Sequence, residues 1–241
     1  MNKVSIHEKC IIAYTTVADG NMDDRFSDRS VTMANRRKIL NQFNLNPKLV
    51  VEGKQIHSDR ILILDEENTK MWFGCNIPGV DGFITDQTDV GMLLKVADCV
   101  PVVVYDPEHH RIGVFHAGWQ GAVKNIHTKG IAMMHDRYET NPEKVLVWLG
   151  PSAHKCCFTS DQQPEQIDQA AWEKFITKND TEWNVDLVGY IVETLKQQGV
   201  NEKNITIDSQ CTVETADLFS HVRSKKTDEA EGRFLVLAKL G

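Results

Sequence analysis

The residues best suited to chemistry are two histidines and a cysteine set far apart in the chain. They are His57 within Gln55-Ile56-His57-Ser58, Cys99 within Ala97-Asp98-Cys99-Val100-Pro101, and His116 within His116-Ala117-Gly118-Trp119. Two imidazoles and one thiolate form a donor set that suits zinc, with bonds of about 2.0–2.3 Å. Three protein ligands leave the fourth tetrahedral position for water or substrate, the mark of a catalytic ion. The thiolate cancels one unit of the ion's charge, so such a zinc is expected to be a milder Lewis acid than one held by three histidines. The same residues also suit a Cys/His nucleophile pair, and a cysteine ahead of an apolar strand is often just a small buried hydrophobe. No tight C-x-x-C or H-E-x-x-H pair decides between these readings.

Each of the three lies beside a strand end or turn, where a side chain can face a cleft without disturbing the core. Val100–Tyr105 and Arg111–Phe115 read as strands, and Asp106-Pro107 with His109-His110 between them reads as a turn. In the resulting hairpin Cys99 opens the first strand and His116 ends the second, so topology alone puts them side by side. His57 must arrive from elsewhere. Strand parity turns Asp98 away from the face that Cys99 uses, so a supporting hydrogen bond to a neighbouring loop competes with an acid/base role for it. Parity gives Gln55 the same face as His57, suited to orienting it or touching substrate.

Further strands are expected at Ile11–Thr16, Lys48–Val51, Arg60–Leu64, Gly91–Leu94, Lys144–Trp148 and Arg233–Leu237. Helices are expected where Asp28 or Ser30 can cap a face carrying Met33, Leu40 and Phe43, and along Val123, Ile126, Ile131, Met134 and Tyr138 despite Gly130. A third is expected along Val185, Val188, Ile191, Val192 and Leu195, ended by Gly199. These elements mix without regular βαβ alternation, which points to an α+β fold. With no repeat, low-complexity tract or long linker, residues 1–241 read as a single domain.

Bulk properties exclude several classes. The chain of 241 residues is 41% hydrophobic and 25% charged, enough for a core without staples. A formal charge of −7 argues against nucleic acid as a partner, and the basic run Arg223–Lys226 is cut off by Asp228, Glu229 and Glu231. No apolar run approaches the roughly 18 residues a membrane span needs. The start lacks a signal-peptide layout, and six cysteines without one point to reduced thiols. A soluble, cytoplasmic protein is the expectation. Adjacent Cys156 and Cys157 are poorly placed for an ordinary disulfide, and Cys10, Cys75 and Cys211 read as packing residues or incidental thiols.

The motifs around the three candidate ligands, with Asp81-Gly82, Asn35-Arg36, Gly150-Pro151-Ser152, Cys156-Cys157-Phe158, Phe219-Ser220-His221 and Gly232-Arg233-Phe234, resemble the YfiH-like laccase-domain proteins. These were once called multicopper polyphenol oxidases and are now regarded as zinc-dependent purine nucleoside phosphorylases. The resemblance spans almost the whole chain in order. It implies an α+β single domain with a mixed β-sandwich flanked by helices. It also implies a metal, zinc with copper as the alternative, on the positions of His57, Cys99 and His116.

The activities it implies are phosphorolysis of adenosine, inosine, guanosine and methylthioadenosine, and adenosine deamination. The partners would be a purine nucleoside and phosphate. The candidate substrate-binding residues are Gln55, by its parity with His57, the family-matched cations Arg36 and Arg223, with a solvated surface charge or a structural ion pair as the alternative for each, and Trp119, suited to stacking on a base or to burial in the core. Where the family usually has arginine after H-A-G-W this chain has Gln120, and Ala13–Gly20 replaces a glycine- and arginine-bearing loop. Val222-Arg223 stands for a pair of arginines, and His154 interrupts a G-P-x-x-G-x-C-C pattern. The metal centre is thus expected intact and the substrate pocket diverged. The competing readings are a metal- or Cys99-dependent amide hydrolase editing cell-wall precursors, a copper phenol oxidase, and a non-catalytic regulator.

Overall fold

The run Val100–Asp106 is buried at every position because both of its faces are covered. Successive side chains of a strand point to opposite sides. Here Val103 and Tyr105 enter one apolar cluster while Val102 and Val104 enter another. The same alternation recurs where Met92 and Leu94 face inward and Leu93 outward, and where Phe234 and Val236 oppose Leu235 and Leu237. Two sheets therefore share an inner core, and each has a second apolar layer on its outer face.

The computed structural model describes residues 1–67, 76–160 and 169–241. The first sheet runs β1 (Asn2–His7), β2 (Cys10–Tyr14), β15 (Phe234–Leu240), β7 (Gly91–Val96), β3 (Val50–Lys54) and β5 (Asn76–Pro78). The second runs β14 (Ile205–Ile207), β10 (Leu146–Leu149), β8 (Val100–Asp106), β9 (Arg111–Ala117), β6 (Gly82–Thr85) and β4 (Ile61–Leu64). Both are mixed: β3 lies parallel to β7, β4 parallel to β6, and β8 antiparallel to β9. A small sheet joins β11 (Thr159–Ser160), β13 (Trp183–Val185) and β12 (Ile176–Lys178). This is the α+β class expected from the order of elements, in the mixed sandwich that the resemblance implied.

Helix α1 (Arg29–Gln42) covers the outer face of the first sheet through Ile39 and Leu40. The Asp28 carboxylate accepts from the Ser30 amide at 2.7 Å, so Asp28 rather than Ser30 is the cap. Met33 lies outside the buried face, with 48% of its surface exposed. The second helix expected from the sequence is broken into α2 (Trp119–Val123) and α3 (Ile126–Tyr138), because Asn125 takes a left-handed conformation between them. A short α4 (Gln169–Trp172) precedes α5 (Leu187–Gln197), and α6 (His221–Lys226) follows later. Val185 belongs to β13 and not to α5, which starts where the Asp186 carboxylate accepts from the Gly189 amide. Lys48 and Leu49 form a 3₁₀ turn ahead of β3 rather than its first residues. Cys75 lies outside the described residues. Among the described residues no helix is long and apolar enough to cross a membrane.

Gly130 sits inside α3 for a packing reason. A Cβ there would lie 2.2 Å from the tip of the Phe115 ring, which is fully buried and cannot retreat. Glycine to alanine in a helix ordinarily stabilises by about 1 kcal/mol. Overpacking reverses that sign, so Gly130→Ala is expected to destabilise by about 1–3 kcal/mol, read as a lowered urea midpoint. A raised midpoint would refute this packing account.

Candidate metal centre

Three separate elements deliver the three candidate ligands. The first delivery starts at the exit of β3, where the Gln55 amide clamps the chain to β7. Its Nε2 donates to the Lys95 carbonyl and its Oε1 accepts from the Lys95 amide, both at 2.9 Å. Beyond it the backbone wraps around Asp81. The amides of Ile56, His57 and Ser58 donate to the Asp81 carboxylate at 3.2, 3.0 and 2.8 Å, and the Ser58 hydroxyl donates at 2.7 Å. This wrap holds His57 at φ +60, a conformation non-glycine residues rarely adopt.

The second and third come from the β8–β9 hairpin. Register pairs Val100 with Ala117 and Pro101 with His116, so Cys99 and His116 meet as the sequence implied. Asp98, at φ +80, turns its carboxylate to the other side. There it accepts from the Thr212 hydroxyl at 2.6 Å and the Val222 amide at 2.7 Å. It is a brace between loops, the supporting role of the two weighed from its sequence position.

His57, Cys99 and His116 each offer a ligand atom, and these atoms lie within 4.8 Å of one another. Cys99 Sγ is 3.5 Å from His57 Nε2, and the two imidazole centroids are 4.9 Å apart. His116 Nδ1 lies 2.9 Å from Asp81 Oδ1. An ionised carboxylate can only accept, so the ring donates through Nδ1 and Nε2 is left free for an ion. Gly118 closes the rear: a Cβ there would fall 2.5 Å from His57 Cδ2 and 2.8 Å from Cys99 Sγ. Among the described residues no fourth donor joins this cluster.

Burial works to raise the Asp81 carboxyl, but the His116 ring and the Ser58 donors outweigh it and hold the group down at about 2. Burial would also keep Cys99 protonated and His116 neutral. Their mutual attraction, aided by His57 on the thiol and Asp81 on the ring, wins in both cases. The Cys99 thiol titrates below its ordinary range and the His116 imidazole above its own. Without an ion the pair is thus a thiolate beside an imidazolium: the sulfur is already in the form a metal requires, and a bound ion would displace the proton from His116 Nε2.

The three residues form part of the wall of a cavity of about 720 Å³, which Gln55, Trp119 and Gln120 also line. Gln55 spends its amide on the Lys95 backbone. Trp119 packs on Trp172, which stacks on Tyr190, with centroid distances of 4.8 and 3.6 Å. Arg36 and Arg223 lie outside the cavity wall. Arg36 is held by Glu52 at 2.6 Å and by the Met22 carbonyl. Arg223 donates to the carbonyls of Thr212, Val213, Thr215 and Leu218 and to Glu229, tying α6 to the preceding loop. The cations on the wall are instead Arg25, Lys54, Lys95 and Arg233, none of which the sequence singled out as a substrate contact. Asp81 was named only within the Asp81-Gly82 motif, with no role given to it. Its signal was a carboxylate beside a glycine in an apolar stretch, a position where an acid must have partners.

Two substitutions test this geometry by zinc or cobalt titration of folded protein. Asp81→Asn is expected to weaken metal binding roughly 10–100-fold, since it loses a carboxylate that orients a ligand. Gly118→Ala is expected to abolish tight binding while circular dichroism stays native. Unchanged affinity in both would contradict the arrangement.

Comparison with known proteins places the chain. It is 27% identical over 212 residues to a protein named purine nucleoside phosphorylase YlmD from Geobacillus stearothermophilus, covering 83% of this chain and 76% of that one. It is 28% identical over 228 residues to a purine nucleoside phosphorylase of Corynebacterium glutamicum, covering 92% and 88%. The crystal structure of Bacillus licheniformis hypothetical protein YfiH superimposes with a TM-score of 0.82 at 25% identity, covering 96% of this chain and 93% of that one. The model of the multi-copper polyphenol oxidoreductase laccase family matches residues 12–240. The chain belongs to that laccase-like family, which YfiH and YlmD share.

Proposed function

We propose that this protein is a zinc-dependent purine nucleoside phosphorylase working at the His57–Cys99–His116 site. The observation that carries the reading is a three-donor cluster set in the wall of a cavity that also presents cations and aromatic surface. The volume of about 720 Å³ suits a nucleoside with phosphate beside it. Relatives named as purine nucleoside phosphorylases support the choice of substrate class.

The residues fit zinc. Bonds of about 2.3 Å to sulfur and about 2.0 Å to nitrogen at tetrahedral angles set the S···N edge at about 3.5 Å. The Cys99 Sγ–His57 Nε2 distance is 3.5 Å. Three donors leave one vertex for a reactant oxygen or water. When bound, the ion supplies positive charge to an anionic oxygen. Oxidation of phenols by several coppers requires several histidine clusters, and among the described residues His57 and His116 are the only histidines gathered in a ligand cluster.

Phosphorolysis breaks an N-glycosidic bond through a transition state with positive charge on the ribose and negative charge on base and phosphate. Trp119, Phe158, Ile56 and Leu187 give the cavity an apolar wall against which a purine can lie. Lys54 has no ion-pair partner among the described residues, so its charge is available to phosphate. Arg25 and Arg233 are paired with Asp23 and Glu231 and contribute more weakly. Gln120 removes a positive charge from this wall relative to the family pattern, so phosphate binding falls on Lys54. We place the enzyme in the cytoplasm, where thiols stay reduced.

Incubation with adenosine or inosine, with and without phosphate, tests the reading. The expected products are free base and ribose 1-phosphate, formed only with phosphate. Cys99→Ser is expected to lower the rate by two orders of magnitude or more, and Lys54→Ala to raise KM for phosphate about tenfold, a loss of about 1.4 kcal/mol. Inosine formed from adenosine without phosphate would instead indicate deamination. Absence of turnover with metal bound would favour amide hydrolysis or a regulatory role.

A further inference from the structure

A second group of side chains with ligand atoms close enough to share a metal ion lies away from the cavity wall. Cys156, Cys157, Cys211 and Glu214 each offer a ligand atom, all within 4.8 Å of one another. None of the three cysteines is in a disulfide. The Cys156 and Cys211 sulfurs are 3.7 Å apart, and Cys156 Sγ is 3.5 Å from the Glu214 carboxylate. Cys157 Sγ is 3.1 Å from Cys156 Sγ.

These separations carry chemical information. An ion with bonds of about 2.3 Å to sulfur and about 2.0 Å to oxygen sets tetrahedral edges of about 3.8 Å between sulfurs and about 3.5 Å from sulfur to oxygen. Two measured edges match. The third must open by roughly 0.6 Å, within reach of a small side-chain rotation at Cys157. The sulfurs lie too far apart for bonds of about 2.05 Å, yet close enough to repel if ionised. Burial and the crowding of the neighbouring thiols accordingly push Cys156 and Cys157 above their ordinary range.

The position in the fold gives such an ion a task. Cys211 lies in the bridge that pairs it with Ser152, and the Thr212 amide donates to the Ser152 carbonyl at 3.0 Å. The neighbouring Ala153 amide donates to the Asp98 carbonyl at 2.9 Å, and Thr212 donates to the Asp98 carboxylate. The loops bearing the thiols are thus the loops that brace the turn ahead of Cys99.

We propose that Cys156, Cys157, Cys211 and Glu214 bind a second, structural zinc ion that staples the 152–158 and 208–215 loops together. Three thiolates and a carboxylate fill all four tetrahedral positions, so this site is closed and takes no substrate. A thiolate-rich set selects a soft or borderline divalent ion over magnesium or calcium. The inference is independent of the proposed phosphorylase activity, because its readout is metal content and spectrum.

Elemental analysis of the full chain, purified without chelator, is expected to find two zinc ions per chain. Cys99→Ser and Cys211→Ser should each retain one. Cobalt substitution provides a second readout: in Cys99→Ser the remaining ion should show a sulfur-to-cobalt absorption of three thiolates, lost in Cys211→Ser. Because buried Cys211 could compromise folding, exposed Glu214→Gln and Cys156→Ser serve as alternates. Each is expected to lose the second zinc to a competing chelator at least tenfold more readily. One zinc per chain in the wild type, unchanged retention in both alternates, or a disulfide among the three cysteines in the purified protein would overturn the proposal.

Discussion

The Asp81 carboxylate accepts five hydrogen bonds, from three consecutive backbone amides, the Ser58 hydroxyl and the His116 ring. A fully buried carboxylate is costly unless its charge is met by such donors. Here the donors that satisfy it are also the parts to be positioned. By gathering the amides of Ile56, His57 and Ser58, it holds His57 in its left-handed conformation. By accepting from His116 Nδ1, it fixes the tautomer that leaves Nε2 free. Two of the three candidate ligands, from segments distant in sequence, are set by one side chain.

The third ligand has its own brace. Asp98 occupies φ +80 next to Cys99, and its carboxylate reaches Thr212 and Val222. Backbone strain at Asp98 and His57 costs on the order of 1–3 kcal/mol each. The two sheets behind the site, packed on both faces, are what sustain it. Their rigidity also explains Gly118, where the close approach of His57 and Cys99 leaves no room for a side chain. The same loops that answer Asp98 carry the second thiol cluster, so the two groups of ligands are mechanically connected.

How much of this the sequence disclosed depended on whether the cause was local. The β8–β9 hairpin was legible because a turn signal at Asp106-Pro107 separates two apolar strands, and register then forces Cys99 beside His116. The arrival of His57 was not, since it depends on a carboxylate 24 residues away whose partners are mostly backbone amides. Short strands such as Asn76–Pro78 and Gly82–Thr85 went unread because three or four residues carry too little periodicity. Val185 was drawn into a helix because its apolar spacing continued that of α5, whereas Asp186 capping fixed the true start. Arg36 and Arg223 fitted a motif for anion contacts, but a guanidinium with five donors is equally able to gather carbonyls and carboxylates, and both do so. Cys211 read as a packing residue or incidental thiol because the sulfur it meets, that of Cys156, lies 55 residues away in sequence.

The central claim is that one ion is gripped by His57, Cys99 and His116 with one position left open. Anomalous diffraction at the zinc absorption edge, from crystals of the zinc-loaded protein, tests it most directly. The account predicts a peak about 2.0–2.3 Å from His57 Nε2, His116 Nε2 and Cys99 Sγ, with a non-protein fourth ligand. A peak bonded by a fourth protein atom, or one with the Cys99 sulfur beyond bonding distance, would contradict it.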